Sequence, residues 1–463
     1  MKRVADKFLI LYAAGLTACA TIGPDHEVPE TESPERFKNA SSVARDADRG
    51  PWWKAFKDST LNDLLNQLDD ASPNQAAALA RREQARAELK AATARAWPSI
   101  SGTGDARKQL ESENTSFRTS DTAYNRYELA LNLEYEIDLW GRVRRQVEAA
   151  SARESAAEAA YEDAMLSLRA ELARHYFSLR SLDEEIATLK RAVQLREEGV
   201  DLVTARADAG QISDDDVARA TAELEGTRGD LTALERDRDQ FENAIAALIG
   251  KSPSTFTLEA TSKLGAVPQI PVGLPSELLA RRADVAEKER LLAAASAEIG
   301  VATADFLPRI TLTGSGGLTS LRASDLFNPS SKMWDIGPKI DVPIFRKGLA
   351  KSYKEKAQAE FEEARATYQQ TVLNAFRDTE NAINANQSIA REFAQRERAT
   401  TAAARASELS ITRYESGLIS YLEVLDSLRT HLADQRLETQ TRGDHFQAAV
   451  ALVQALGGGW SKR

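Results

Sequence analysis

The 463-residue chain has one cysteine, Cys19, and it stands where chemistry is most specific. Lys2, Arg3 and Lys7 give a positive start, Phe8 to Leu16 is a short apolar run, and Leu16-Thr17-Ala18-Cys19 closes it. That is a signal-peptide layout, too short to cross a bilayer. The Leu-x-Ala-Cys ending resembles a bacterial lipobox, in which the cysteine becomes the acylated first residue of the mature chain. A lone cysteine allows no intrachain disulfide. No later segment has about 18 consecutive apolar residues, so no transmembrane helix is expected.

The second set of reactive side chains is acidic and lies at two helix starts. Asp214, Asp215 and Asp216 follow Ser213, while Glu423 and Asp426 follow Ser420. Ser213-x-x-Asp216 and Ser420-x-x-Glu423 read as capping boxes, and acids at a helix start favour its dipole. Other chemistry is missing. There is no phosphate loop and no G-x-S-x-G elbow. The histidines are His26, His175, His431 and His445, and no two share a metal-ligand spacing. Three methionines disfavour a thioether relay for Cu(I) or Ag(I). No catalytic residue, cofactor or metal is expected, so the chain does not read as an enzyme. A net charge of −10 argues against a nucleic-acid partner.

The elements that position these residues are mostly long helices. Charged residues make up 28% of the chain, and Ala, Glu, Arg, Leu and Gln dominate, as in coiled coils. One plan is written twice. The reading divides the chain into a signal peptide (1–18), a lipidated extended segment (19–60), a first repeat (61–250), a Pro-, Ser- and Thr-rich linker (251–276), a second repeat (277–456) and a tail (457–463). Each repeat has a helix stopped by Pro98 or Pro308, two strands and a long hairpin. Ala209-Gly210-Gln211-Ile212-Ser213 matches Ser416-Gly417-Leu418-Ile419-Ser420 at the hairpin turns. Leu224, Leu231, Leu234, Phe241, Ile245 and Leu248 recur at coiled-coil spacing, as do Leu425, Leu428, Leu432, Phe446, Val450 and Val453. Helical runs are expected over 61–96, from 142 to about 208, over residues 274–308 and over 351–416.

The strands carry the sharper question. From Tyr127 to Leu139 every odd residue is apolar (Leu129, Leu131, Leu133, Tyr135 and Ile137 among them), while Glu128, Asn132, Glu134, Glu136 and Asp138 occupy even positions. Period two marks a strand with two unlike faces. Residues 334–345 alternate likewise. Such a face can lie on a protein core or on lipid; the hydrophilic helices and the aromatic ends Tyr127, Tyr135 and Trp140 weigh toward lipid. Unpaired backbone in hydrocarbon costs several kcal/mol per group, so such strands must close into a barrel. Four strands are too few, since the smallest barrels have about eight. Several chains must share one, and the spacing alone leaves two or three open.

Here the chain resembles the TolC-like outer-membrane factors, specifically the lipoprotein branch serving multidrug efflux pumps. The carriers are the lipobox at Cys19, Gly23-Pro24-Asp25, with His26 where the family usually has Tyr, Trp52-Trp53-Lys54-Ala55-Phe56, Tyr135-Glu136-Ile137-Asp138-Leu139-Trp140-Gly141, LPSELLARRADVAEKERLLAAASAEIGVA and Val342-Pro343-Ile344-Phe345. The resemblance implies a mainly α protein with a membrane β-barrel: a homotrimer with four strands per chain in a shared twelve-stranded barrel above a helical periplasmic tunnel. Ala20 after Cys19 favours the outer membrane. It implies a passive exit duct for small toxic compounds, working with a periplasmic adaptor (a membrane fusion protein) and an inner-membrane pump, and contacting outer-membrane lipid. Asp214, Asp215, Asp216, Tyr414, Glu423 and Asp426 then fall at gate-like positions, with Arg206 and Arg413 as potential salt-bridge partners. Threefold symmetry would bring each acid near its copies and raise its pKa. Two alternatives stay open: a duct for secreted protein, and a lipid-anchored periplasmic scaffold without a pore.

Overall fold

The computed structural model describes residues 21–29, 33–38, 51–112, 114, 122–261, 264–273 and 275–458. Cys19 and the signal peptide 1–18 lie outside the described residues. The elements are α1 (Ser59–Ala71), α2 (Pro73–Ala94), β1 (Ser99–Gln109), β2 (Tyr124–Glu136), α3 (Arg142–Asp208), α4 (Asp214–Leu248), α5 (Pro275–Arg281), α6 (Ala283–Ala304), β3 (Arg309–Ser320), β4 (Lys332–Asp341), α7 (Leu349–Glu415) and α8 (Tyr421–Ala455). The long helices come in matched lengths: α3 and α7 have 67 residues each, and α4 and α8 have 35 each. At 1.5 Å per residue the longer pair each run on the order of 100 Å.

The chain forms two compact units that interleave along the sequence. One comprises Met1–Glu30, Arg82–Glu158 and Glu287–Gln369; the other comprises Thr31–Arg81, Ala159–Ala286 and Gln370–Arg463. The first holds a four-stranded antiparallel sheet in the order β1-β2-β3-β4. Its helices pack through small residues, Ala152 against Ala293 and Ala294, and Ile299 and Ala302 against Ala357. Residues 21–29 form a strap on this unit. The Ile22 amide donates to the Trp140 carbonyl, and Arg145 donates to the carbonyls of Ile22 and Gly23 and to Asp25. The strap passes so close to α6 that a Cβ on Gly300 would lie 2.6 Å from the Ile22 carbonyl oxygen. His26 Nε2 and the buried Glu289 share a hydrogen bond of 3.0 Å.

The second unit holds the larger core. Phe177 stacks on Phe446 at 4.6 Å and meets Phe56 at 4.9 Å, and Leu61, Leu65 and Leu68 of α1 close around them. The heptad residues Leu224, Ile245, Leu248, Leu425, Phe446, Val450 and Val453 are buried, as their spacing requires. Arginines pin the linker to the helices: Arg238 donates to Leu258 O, Arg180 to Glu259 O and Arg442 to Leu264 O. Asp183 accepts from Arg180, Arg238 and the Thr261 amide, so its buried charge is fully engaged.

Several boundaries differ from the sequence reading. The helix expected over 61–96 is two, because Ser72 turns extended and Pro73 starts afresh at a position needing no amide donor. The run over 274–308 is likewise broken at Arg282, between α5 and α6, and ends at Ala304. β2 ends at Glu136 although the alternation continues, because the Asp138 carboxylate accepts from the amides of Val143 and Arg144 and caps α3. Ile137 is therefore just past the strand, its amide bonded to Ile310 O. β4 ends at Asp341, before Pro343. Gly457 and Gly458 have left-handed backbone and close α8, with the Gly458 amide donating to Val453 O.

Candidate functional site

The register sorts the sheet into two faces. Partners across a strand pair share a face. Ile100, Leu133, Gly314 and Ile336 form one level, and Gly102, Leu131, Gly316 and Trp334 form the next. Tyr135, Leu312 and Pro338 lie toward the helix-bearing end, and Gly104, Leu129 and Leu318 toward the other. Nothing among the described residues covers this apolar face: Ile100 is 70% exposed, Leu131 62% and Trp334 78%. The leucines lie flat over glycines, with Leu129 Cδ2 only 3.2 Å from where a Cβ on Gly104 would stand. Leu133 and Tyr135 are half-buried among their neighbours.

The opposite face is polar. It carries Ser101, Thr103, Asn132, Thr313 and Ser315 in its middle, with Asn132 donating to Thr103 Oγ1 at 3.1 Å. Asp335 stands beside Ser315 in the middle, and the other charges lie toward the two ends. Asp105 and Glu128 pair with Arg107 and Arg126, each at 2.7 Å. At the helix-bearing end Arg142 clasps Glu136 through two bonds of 2.9 and 2.5 Å, and Trp140 donates to Pro308 O. Of the carboxylates on this face, Asp105, Glu128 and Glu136 are held by arginines, and Asp335 accepts from the Ser315 hydroxyl.

The two hairpin turns, both in the second unit, share one construction. Gly210 (φ +69°) and Gly417 (φ +72°) end α3 and α7 in the left-handed region. The next amides, of Gln211 and Leu418, return to Arg206 O and Arg413 O, which satisfies the last carbonyls. Ser213 and Ser420 then cap α4 and α8. Ser420 and Glu423 form a full capping box. At Ser213 only half forms: its hydroxyl accepts from the Asp215 amide, and Asp216 does not answer. Asp215 instead pairs with Arg219 at 2.8 Å.

Arg206 pairs with no acid among the described residues. It donates to the Tyr414 hydroxyl at 2.8 Å and lies 5.1 Å from that ring's centre. Tyr414 in turn meets Tyr421 at 5.4 Å. Burial, then the neighbouring Tyr414, raise the Tyr421 pKa above its usual value, and Asp216 acts in the same direction. The structure so brings together Tyr414, Asp216 and Arg206 with one residue the sequence reading did not name, Tyr421. Asp214, Glu423 and Asp426 stand exposed at their helix starts. Arg413 has no carboxylate partner among the described residues. Farther along the helices, Glu223 of α4 holds both Arg196 of α3 and Arg429 of α8. The Arg429 hydrogen bond holds the Glu223 carboxyl below its usual pKa. Arg206 and Tyr414 are 208 positions apart and Glu223 and Arg429 are 206 apart, and nothing in the local sequence announces either pairing.

A single family description, outer membrane efflux protein, matches residues 64–251 and again residues 274–458. The chain belongs to that family. A match over 460 residues to the pyoverdine export outer membrane protein OpmQ of Pseudomonas aeruginosa is 32% identical and covers 96% of each chain. SilC of Salmonella typhimurium, described as a probable outer membrane lipoprotein, is 26% identical over 450 residues, covering 96% of each. The solved outer-membrane channel OprN is similar in fold, with a TM-score of 0.88 at 32% identity, covering 95% of this chain and 100% of that one. The chain is thus an outer-membrane efflux protein, and its two-faced sheet and long hairpins are those of an efflux exit duct. Among the described residues, no helix is long and apolar enough to cross a membrane and no metal-holding cluster occurs.

Proposed function

We propose that three copies pair edge to edge, β4 of one with β1 of the next, into a twelve-stranded barrel that conducts small toxic compounds out of the cell. The observation that carries this is the sheet itself: both outer strands are open along their edges, and one face is apolar and uncovered. Closure satisfies the edge backbone, which hydrocarbon demands. Turning the polar face inward wets the carboxylates and avoids their desolvation. On that face Asp105, Glu128, Glu134, Glu136, Asp335 and Asp341 outnumber Arg107, Arg126, Arg309 and Lys339, a mild preference for cationic or neutral solutes.

The duct itself performs no reaction. A periplasmic adaptor and an inner-membrane pump supply the drive, and Cys19 carries the lipid. The acids Asp214, Asp215, Asp216, Glu423 and Asp426, with Tyr414, line the periplasmic constriction. Fractionation of Cys19→Ala tests the core of this reading. The variant should still require detergent for extraction and form ion channels in planar bilayers. Recovery as a soluble periplasmic protein would leave only a tethered scaffold.

A further inference from the structure

The apolar face has two charges, and both are lysines at one end. Along β1 the face reads Ile100, Gly102, Gly104, Ala106, Lys108; along β4 it reads Ile340, Pro338, Ile336, Trp334, Lys332. On β2 and β3 it carries no charge at all: Tyr135, Leu133, Leu131, Leu129, Tyr127 and Asn125, then Ile310, Leu312, Gly314, Gly316, Leu318 and Ser320. Lys332 is level with Leu318, Leu129 and Gly104; Lys108 is level with Asn125, two cross-strand pairs nearer the strand tips. Both are exposed, and neither pairs with a carboxylate among the described residues. The arginines at the same end, Arg107 and Arg126, are on the other face and already bound to Asp105 and Glu128.

This end is the one remote from the helices, since α3 and α7 leave from the opposite tips of β2 and β4. With the helices in the periplasm, the lysines reach the outer leaflet. A lysine near a membrane interface costs little, because its stem lies along apolar surface while the ammonium rises to the headgroups. We propose that Lys108 and Lys332 form a docking site for a phosphate of the lipid A type, the anionic glycolipid of that leaflet. Both stand on the edge strands, so pairing of β4 with β1 of a second copy brings one lysine from each chain to the same seam. The ligand then bridges two protomers. This assignment rests on the shared barrel proposed above.

The test uses full-length protein purified in detergent, with diphosphoryl lipid A and its dephosphorylated form as probes, read by native mass spectrometry. At about 1 kcal/mol per lysine near a membrane surface, Lys108→Gln with Lys332→Gln should weaken lipid A retention roughly tenfold to thirtyfold. Removing the phosphates should weaken binding to the unaltered protein by a similar factor. Lys339→Gln, on the polar face of β4, should leave retention unchanged. Equal retention by the double variant, or equal binding of the phosphate-free lipid, overturns the assignment alone. A Cys19→Ala protein that is soluble without detergent overturns the barrel and this site together.

Discussion

The Arg206 guanidinium both bonds the Tyr414 hydroxyl and lies over the Tyr414 ring, so one side chain of the first hairpin turn clasps one of the second. A charged hydrogen bond of this kind contributes about 1.5–3 kcal/mol. If this clasp keeps the constriction narrow, Arg206→Ala shifts the closed-to-open ratio by on the order of tenfold. Tyr414→Phe retains the ring and should shift it less. Single-channel recording in planar bilayers measures both, and unchanged gating in Arg206→Ala would confine the pair to packing.

Glu423 separates capping from gating. Its carboxylate accepts from the Ser420 amide, a bond that a glutamine oxygen can also accept. Glu423→Gln should therefore leave the start of α8 protected from hydrogen exchange while weakening block by trivalent cations. Ser420→Ala should do the reverse, fraying the helix start at a cost of about 1 kcal/mol. A Glu423→Gln protein with unaltered block would show that the acid only caps.

Neighbouring residues on β2 test the two faces. Leu131→Arg puts a charge into lipid near mid-depth, at about 2–4 kcal/mol per chain, and should abolish heat-modifiable trimers in outer-membrane fractions. Asn132→Arg, one residue on, points into water and should assemble normally. Equal assembly of the two variants contradicts the sidedness.

Gly300→Ala tests the strap. The added methyl would meet Ile22 O at 2.6 Å and Arg145 Cγ at 2.9 Å, so residues 21–29 must lift. Limited proteolysis should cut the variant within the strap while sparing the helices. Arg145→Ala should have the same effect, because it strips the donors from Ile22 O and Gly23 O.

Acid should loosen the second unit in two stages. Burial lowers the His445 pKa below its ordinary 6.5, so the fold holds the imidazole neutral. Its contribution is full above 6.5 and is lost as pH falls through the lower folded value. Glu223, held below 4.5 by Arg429, contributes above 4.5 and fails at still lower pH. Thermal unfolding of the detergent-solubilised protein, from about pH 8 to about pH 2, should show both declines. His445→Gln should flatten the first and Glu223→Gln the second.

Much of this architecture is legible in the chain, for physical reasons. Period two along Tyr127–Tyr135 is enforced by two solvents on two faces, so it survives in the sequence. The heptads from Leu224 to Leu248 and the paired Gly-x-x-Ser turns are similarly local. What escapes notice is set by partners far away. Ile137 and Leu139 keep the alternation after β2 has ended, because the end is decided by Asp138 capping α3 and not by hydropathy. The sequence reading pairs Arg206 with an acid; the structure gives it a tyrosine 208 positions on. Pro73, set between Ser72 and Asn74, is the visible signal for the break between α1 and α2.

The matched helix lengths have an evolutionary corollary. Deleting one residue from α3 within the second unit would lower its turn by about 1.5 Å and rotate every later side chain by about 100°. Arg206 would then swing away from Tyr414, and the leucine seam with α4 would fall out of step. Such a change can persist only with compensating deletions elsewhere in the hairpins. Drift in this molecule should therefore be freer in residue identity than in residue number, and gaps in an alignment of its kin should come in matched sets.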